Sequence, residues 1–112
     1  MAKTRFARLI TMRARQGKGD EFVKTFRDGV AKTAVEIGGM RRLYLLRQVG
    51  KDDEFVVLSL WDNQRAAEKY ANSGENRRYA EILATVQVGK ERVEKLCVEA
   101  HVVGKGAGRG KA

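Results

Sequence analysis

Three side chains in this sequence have the chemistry to move a proton or hold an oxyanion beside an aromatic molecule: Tyr70, Tyr79 and His101. A phenol hydroxyl donates a strong hydrogen bond to developing negative charge. Imidazole is the commonest general base, and His101 is the only histidine. The plainer reading of His101 is a structural residue near the end of the last strand. For the two tyrosines it is core packing with the hydroxyl reaching water. Trp61 offers an aromatic wall for a flat substrate, or simply closes the core. Arg8 and Arg42 stand among apolar strand neighbours. A guanidinium so placed can grip an anionic ligand bidentately, or join an ion pair between strands or subunits.

Other chemistries are poorly served. Cys97 is the single cysteine, which excludes an internal disulfide and leaves no metal-ligand spacing. It reads as a small buried apolar residue. No second histidine or carboxylate cluster supports a mononuclear metal site. Gly38-Gly39 and the glycines of the tail lack the strand-loop-helix context of a phosphate cradle.

The elements that must position these residues follow from periodicity. Residues 5–14 read as a strand, with Phe6, Arg8, Ile10 and Met12 on one face and Ala7, Leu9 and Thr11 on the other. After the Gln16–Gly19 turn, with Asp20 as a cap, residues 20–37 carry helical spacing at Phe22, Phe26, Val30 and Ala34. Gly38-Gly39 ends that helix. Strands at 40–49 and 54–61, joined by Gly50-Lys51-Asp52-Asp53, form an antiparallel hairpin. Phe55-Val56-Val57-Leu58-Ser59-Leu60-Trp61 is apolar on both faces, the mark of a strand covered on both sides. Asp62 then caps a helix over 63–72, with Ala66, Ala67 and Tyr70 inward. Ser73-Gly74 breaks it. A further helix covers 75–88, with Tyr79, Ile82, Leu83 and Val86 at helical spacing, and Gly89 stops it. Residues 91–103 form the last strand.

The order β-α-β-β-α-α-β is an α+β, ferredoxin-like arrangement: a four-stranded antiparallel sheet with helices on one face. Its opposite face is apolar in the second, third and fourth strands. Exposing it would cost roughly 25 cal/mol per Å² of apolar area, so a second copy is expected to cover it, sheet to sheet. Residues 1–103 form the one domain. The tail 104–112, rich in glycine and charge, has too little apolar surface to fold.

At 112 residues with 43% hydrophobic content the chain supports a single core. The single cysteine fits a reducing, cytoplasmic setting, the N-terminal residues Met1–Arg5 lack the apolar core of a signal peptide, and no stretch is long enough to span a bilayer. The net charge of +9 invites nucleic acid. Yet the basic residues are scattered among acidic ones, without the basic stripe of a nucleic-acid binder, and the pattern argues against that partner.

The stretches EIGGMRRLYLLRQVGKDDEFVVLSLW and FVVLSLWDNQRAAEKYANSG resemble the antibiotic biosynthesis monooxygenase family of dimeric α+β barrels. They share a glycine before strand two, an apolar hairpin, a tryptophan ending strand three and an alanine-rich helix. The likeness spans residues 5–103. It implies a homodimer and, for some members, oxidation of polyketide quinols by O2 without a cofactor. Other members degrade heme with a strand-one asparagine, a helix tryptophan and a histidine that ligates iron. Aligned on Trp61, those positions fall at Leu9 or Ile10, at Tyr70 and near Tyr79, and all three identities differ. Heme binding with altered ligands, or a non-catalytic small-molecule barrel, is therefore the alternative. The expectation is a cofactor-independent monooxygenase for a quinol-like aromatic substrate. Tyr70, Tyr79 and His101 are its candidate catalytic groups, and Trp61, Arg8 and Arg42 its substrate contacts.

Overall fold

The computed structural model describes residues 5–34 and 36–106. Within them the chain runs β1 (Phe6–Arg13), α1 (Gly19–Thr25), a π-helical segment (Phe26–Ala31), α2 (Lys32–Ala34), β2 (Met40–Arg47), β3 (Glu54–Trp61), α3 (Gln64–Ala71), α4 (Gly74–Ala84) and β4 (Arg92–Cys97). The strands form one antiparallel sheet in the order β2-β3-β1-β4. The helices cover one face.

β3 shows how the sequence dictates this. Phe55, Val57, Ser59 and Trp61 are buried toward the helices, while Val56, Leu58 and Leu60 on the reverse are only half covered. Two apolar clusters fill the space under the helices. One gathers Met12, Phe22, Phe26, Phe55, Val57 and Leu83, with the Phe22 and Phe55 rings stacked at 4.6 Å. The other gathers Phe6, Trp61 and Ala67, flanked by Met40 and Tyr70. Glycine is required at two tight places. A Cβ on Gly19 would strike the Asp52 carbonyl, and one on Gly39, which has φ +86°, would lie 2.5 Å from the Ala66 Cβ.

Several elements differ from the sequence expectation. The first helix is not uniform: an α-turn gives way to a π segment at Phe26. Its N-cap is Lys18, without a side-chain cap bond, and Asp20 lies inside the first turn and pairs with Arg47 at 3.1 Å. Asn63, not Asp62, caps α3 by accepting from the Ala66 amide, because Asp62 is engaged by Arg41. α4 ends at Ala84 rather than 88.

β4 stops at Cys97, opposite Phe6 where β1 begins, instead of reaching 103, and one further backbone bond joins the Val98 amide to the Arg5 carbonyl at 3.0 Å. All six of its residues are exposed, Cys97 included. On the face away from the helices β4 shows Arg92, Glu94 and Leu96. The apolar reverse face is thus made by β2, β3 and β1, the last through Ala7 and Leu9, and not by β4 beyond Leu96. The expected tail begins with exposed Gly104 to Gly106; residues 107–112 lie outside the described part.

Candidate active site

At the seam between the two apolar clusters, beneath the break between α3 and α4, lies a cavity of about 90 Å³. Its floor is the helix-facing side of the sheet: Arg8, Ile10 and Met12 from β1, Leu43 from β2, and Val57, Ser59 and Trp61 from β3. Its roof is Tyr70, Asn76, Tyr79 and Leu83, and the π segment closes one flank with Phe26 and Val30. Such expanded turns recur beside functional sites.

The roof is held by the sequence Ser73-Gly74-Glu75-Asn76. The Ser73 amide and hydroxyl both donate to the Tyr70 carbonyl, at 2.9 and 2.6 Å. The same hydroxyl accepts from the Asn76 amide at 3.1 Å, capping α4. Asn76 Nδ2 reaches back to the Ala71 carbonyl at 3.0 Å. One serine thus ends the helix that carries Tyr70 and starts the helix that carries Tyr79.

Trp61 is fully buried. Its indole nitrogen donates to Ser59 Oγ at 2.8 Å, and its ring lies 5.9 Å from that of Tyr70. It is therefore both a core residue and a cavity wall. Tyr70 is half-buried, and burial holds its phenol above its ordinary value of 10.0. The neighbouring Tyr79 and Glu75 push in the same direction, while Arg8 pulls the other way. Tyr70 is accordingly a protonated donor at neutral pH. Glu68, at the edge of this region, is held below the usual carboxylate range by hydrogen bonds from Gln64 and Lys95.

The structure brings together four of the six residues singled out by sequence: Tyr70, Tyr79, Trp61 and Arg8. Arg42 is turned away. A bulge between Met40 and Arg42 shifts the register so that Arg42 pairs with Leu60, on the reverse face. Its guanidinium donates to the adjacent Arg41 carbonyl at 3.2 Å. His101 lies in the exposed segment beyond β4 and is not among the cavity residues.

Sequence reasoning missed Asn76 and Glu91. Asn76 could have been found from its place three residues after the capping Ser73. Glu91, at the start of the last strand region, carried no such signal. The lining holds no imidazole or thiolate, and the cavity is far smaller than a heme. Among the described residues no group of three histidine, cysteine or acidic side chains could hold a metal ion. No helix among them is long and apolar enough to cross a membrane.

Fold and cavity define a class: a small ferredoxin-like α+β domain with a ligand-sized space under a split helix. Residues 5–82 match the model of the antibiotic biosynthesis monooxygenase family. The chain belongs to that family. Among solved structures it is similar to a protein of unknown function from Nitrosomonas europaea, with a TM-score of 0.78, 14% identity and 93% and 98% of the two chains covered. It is similar also to a candidate antibiotic biosynthesis monooxygenase from Caulobacter crescentus, with a TM-score of 0.75, 19% identity and 88% and 92% coverage. A third is SnoaB, a cofactor-independent oxygenase from Streptomyces nogalater, with a TM-score of 0.75, 17% identity and 89% and 98% coverage. No curated protein matches the sequence.

Proposed function

We propose that the protein is a cofactor-independent monooxygenase that oxidises a reduced aromatic, quinol-like molecule with O2. The observation that carries this reading is the cavity itself: a largely apolar space in which a phenol donor, a guanidinium and an indole face one another. Family membership and the shared fold of a cofactor-independent oxygenase support it.

The chemistry needs no external reductant. One oxygen atom enters the ring of the quinol, the other leaves as water, and the ring supplies all four electrons, emerging as a hydroxyquinone. The reaction is slow in water until the quinol loses a proton. Arg8 favours the resulting anion by its charge. Tyr70, protonated and half-buried, can donate a hydrogen bond to the same oxyanion. Trp61 packs against the ring. Glu91, the carboxylate on the cavity wall, can take the proton. The apolar lining limits water around the reactive carbanion.

The working unit on this reading is a homodimer joined through the reverse face of the sheet, where Val56, Leu58 and Leu60 lie half covered. A reducing, cytoplasmic compartment suits the exposed free Cys97. The test is oxygen uptake in chelator-treated buffer with a panel of one- and two-ring quinols, using labelled O2. Uptake above autoxidation with one labelled atom retained in the product is expected. Rates equal to protein-free controls across the panel would refute the proposal.

A further inference from the structure

Arg8 occupies an unusual place. It stands in the central strand β1, half-buried, with its side chain in the cavity wall. Directly across the ladder from it on one side is Lys95, pointing to the same face, and on the other side Ser59. Like charges opposite one another destabilise a sheet. Lys95 is compensated by Glu68, whose carboxylate lies 3.3 Å away. Arg8 has no such direct contact: among the described residues no carboxylate comes within ion-pair distance and no acceptor holds its guanidinium, and the Glu68 charge attracts it only at longer range. Ser59 Oγ, its other cross-strand neighbour, already accepts from Trp61. The acidic groups in this region are Glu68, Glu75 and Glu91, and none of them pairs with it. A half-buried cation with unmet hydrogen-bonding capacity is costly unless something else completes it.

Cavity size adds a second constraint. About 90 Å³ is well below the roughly 300–1,000 Å³ of sites that enclose drug-sized ligands. A tricyclic quinol would require the roof to move, whereas a single ring with one end at the mouth would not.

We propose that Arg8 makes the cavity selective for a monocyclic aromatic carboxylate, whose anionic group pairs with the guanidinium while its ring lies between Trp61 and Tyr70. This deepens the monooxygenase reading and takes its site from it. It narrows the substrate to a one-ring acid of the dihydroxybenzoate type, and it assigns Arg8 as the residue that sets specificity.

Trp61 is the only tryptophan of the chain and lines the cavity, so its fluorescence reports binding without turnover. The probes are 2,5-dihydroxybenzoate, uncharged hydroquinone and a tricyclic anthrahydroquinone, each titrated anaerobically into the full chain. A charge-assisted bidentate contact predicts about tenfold or greater preference for the carboxylate over hydroquinone. Arg8→Gln should erase that preference, Arg8→Lys should keep part of it, and Arg42→Gln, on the reverse face, should leave it whole. Melting curves of each variant establish that it is folded. If the wild-type protein binds the charged and uncharged rings equally, if folded Arg8→Gln keeps the preference, or if the tricycle binds as tightly as the single ring, the proposal is overturned. The two readings fail separately. Carboxylate preference without oxygen uptake would refute the oxygenase and keep the specificity. Uptake with neutral quinols and no carboxylate preference would do the reverse.

Discussion

Tyr70 couples the stability of the fold to the chemistry of its cavity. Burial raises its phenol above 10.0, so the folded state keeps the proton more tightly than the unfolded chain does. Stability from this group is fully present below pH 10 and is lost as pH rises through its higher folded value. Urea midpoints measured from neutral pH upward should fall beyond pH 10, and Tyr70→Phe should flatten that fall. The same substitution removes only a hydroxyl and should change stability at pH 7 by less than about 1.5 kcal/mol. Turnover of a responsive quinol should drop roughly ten- to a thousandfold if the hydroxyl holds an oxyanion. Intact turnover would remove Tyr70 from the proposed chemistry. That Tyr70, Tyr79 and Arg8 face one space was legible, because helical and strand periods fix which side chains share a face. Arg42 was not, because a one-residue bulge reverses every facing beyond it and leaves no mark in the residue types. His101 failed for another reason: β4 ends at Cys97, and His101 lies in the exposed segment beyond it.

The break between α3 and α4 is the element that turns two helices into a roof. Ser73→Ala would delete the cap of α4 and a tie to the Tyr70 carbonyl together. A loss of about 0.5–2 kcal/mol is expected in chemical unfolding, along with altered Trp61 fluorescence as Tyr70 shifts. A loss of stability with unchanged fluorescence would show that the break caps the helix without setting the roof. Gly39 positions the same roof from below. Gly39→Ala combines a positive φ with a clash against Ala66 on α3, and should cost more than about 1 kcal/mol. Pairing it with Ala66→Gly should recover the part due to the clash and leave the part due to φ. Melting temperatures of the two variants would separate them. The sequence marked both breaks, since glycine and serine interrupt the helical period openly. The π segment was invisible, because Phe26, Val30 and Ala34 keep a spacing that an ordinary helix also satisfies.

For the molecule as a whole, the sheet divides the chain into a finished side and an unfinished one. Leu58 lies on the unfinished side, and Leu58→Asp would place a charge wherever that side is buried. Light scattering of the wild-type chain should give about twice 12.5 kDa, and the variant should dissociate or unfold. A well-folded wild-type monomer would contradict the dimer. Shortening the chain to Val103 should move the melting temperature by no more than about 2 °C if the tail contributes little, and a large drop would show that it docks. The two-sided apolarity of β3 was the clearest signal of this division, and it was read correctly for β2 and β3. It was misread for β4, because the alternating Leu96, Val98, Ala100 and Val102 suggested an apolar face, and all but Leu96 lie beyond the end of the strand. In the proposed dimer, the helices leave each copy one sheet face to offer, and pairing would consume it. Association through that face would be self-complementary and would stop at two. The sheet has two edge strands, β2 and β4, and the charges of β4 guard its own margin against lateral growth. On that reading a one-sided sheet would also be a counting device, setting the number of copies through the one face it leaves uncovered.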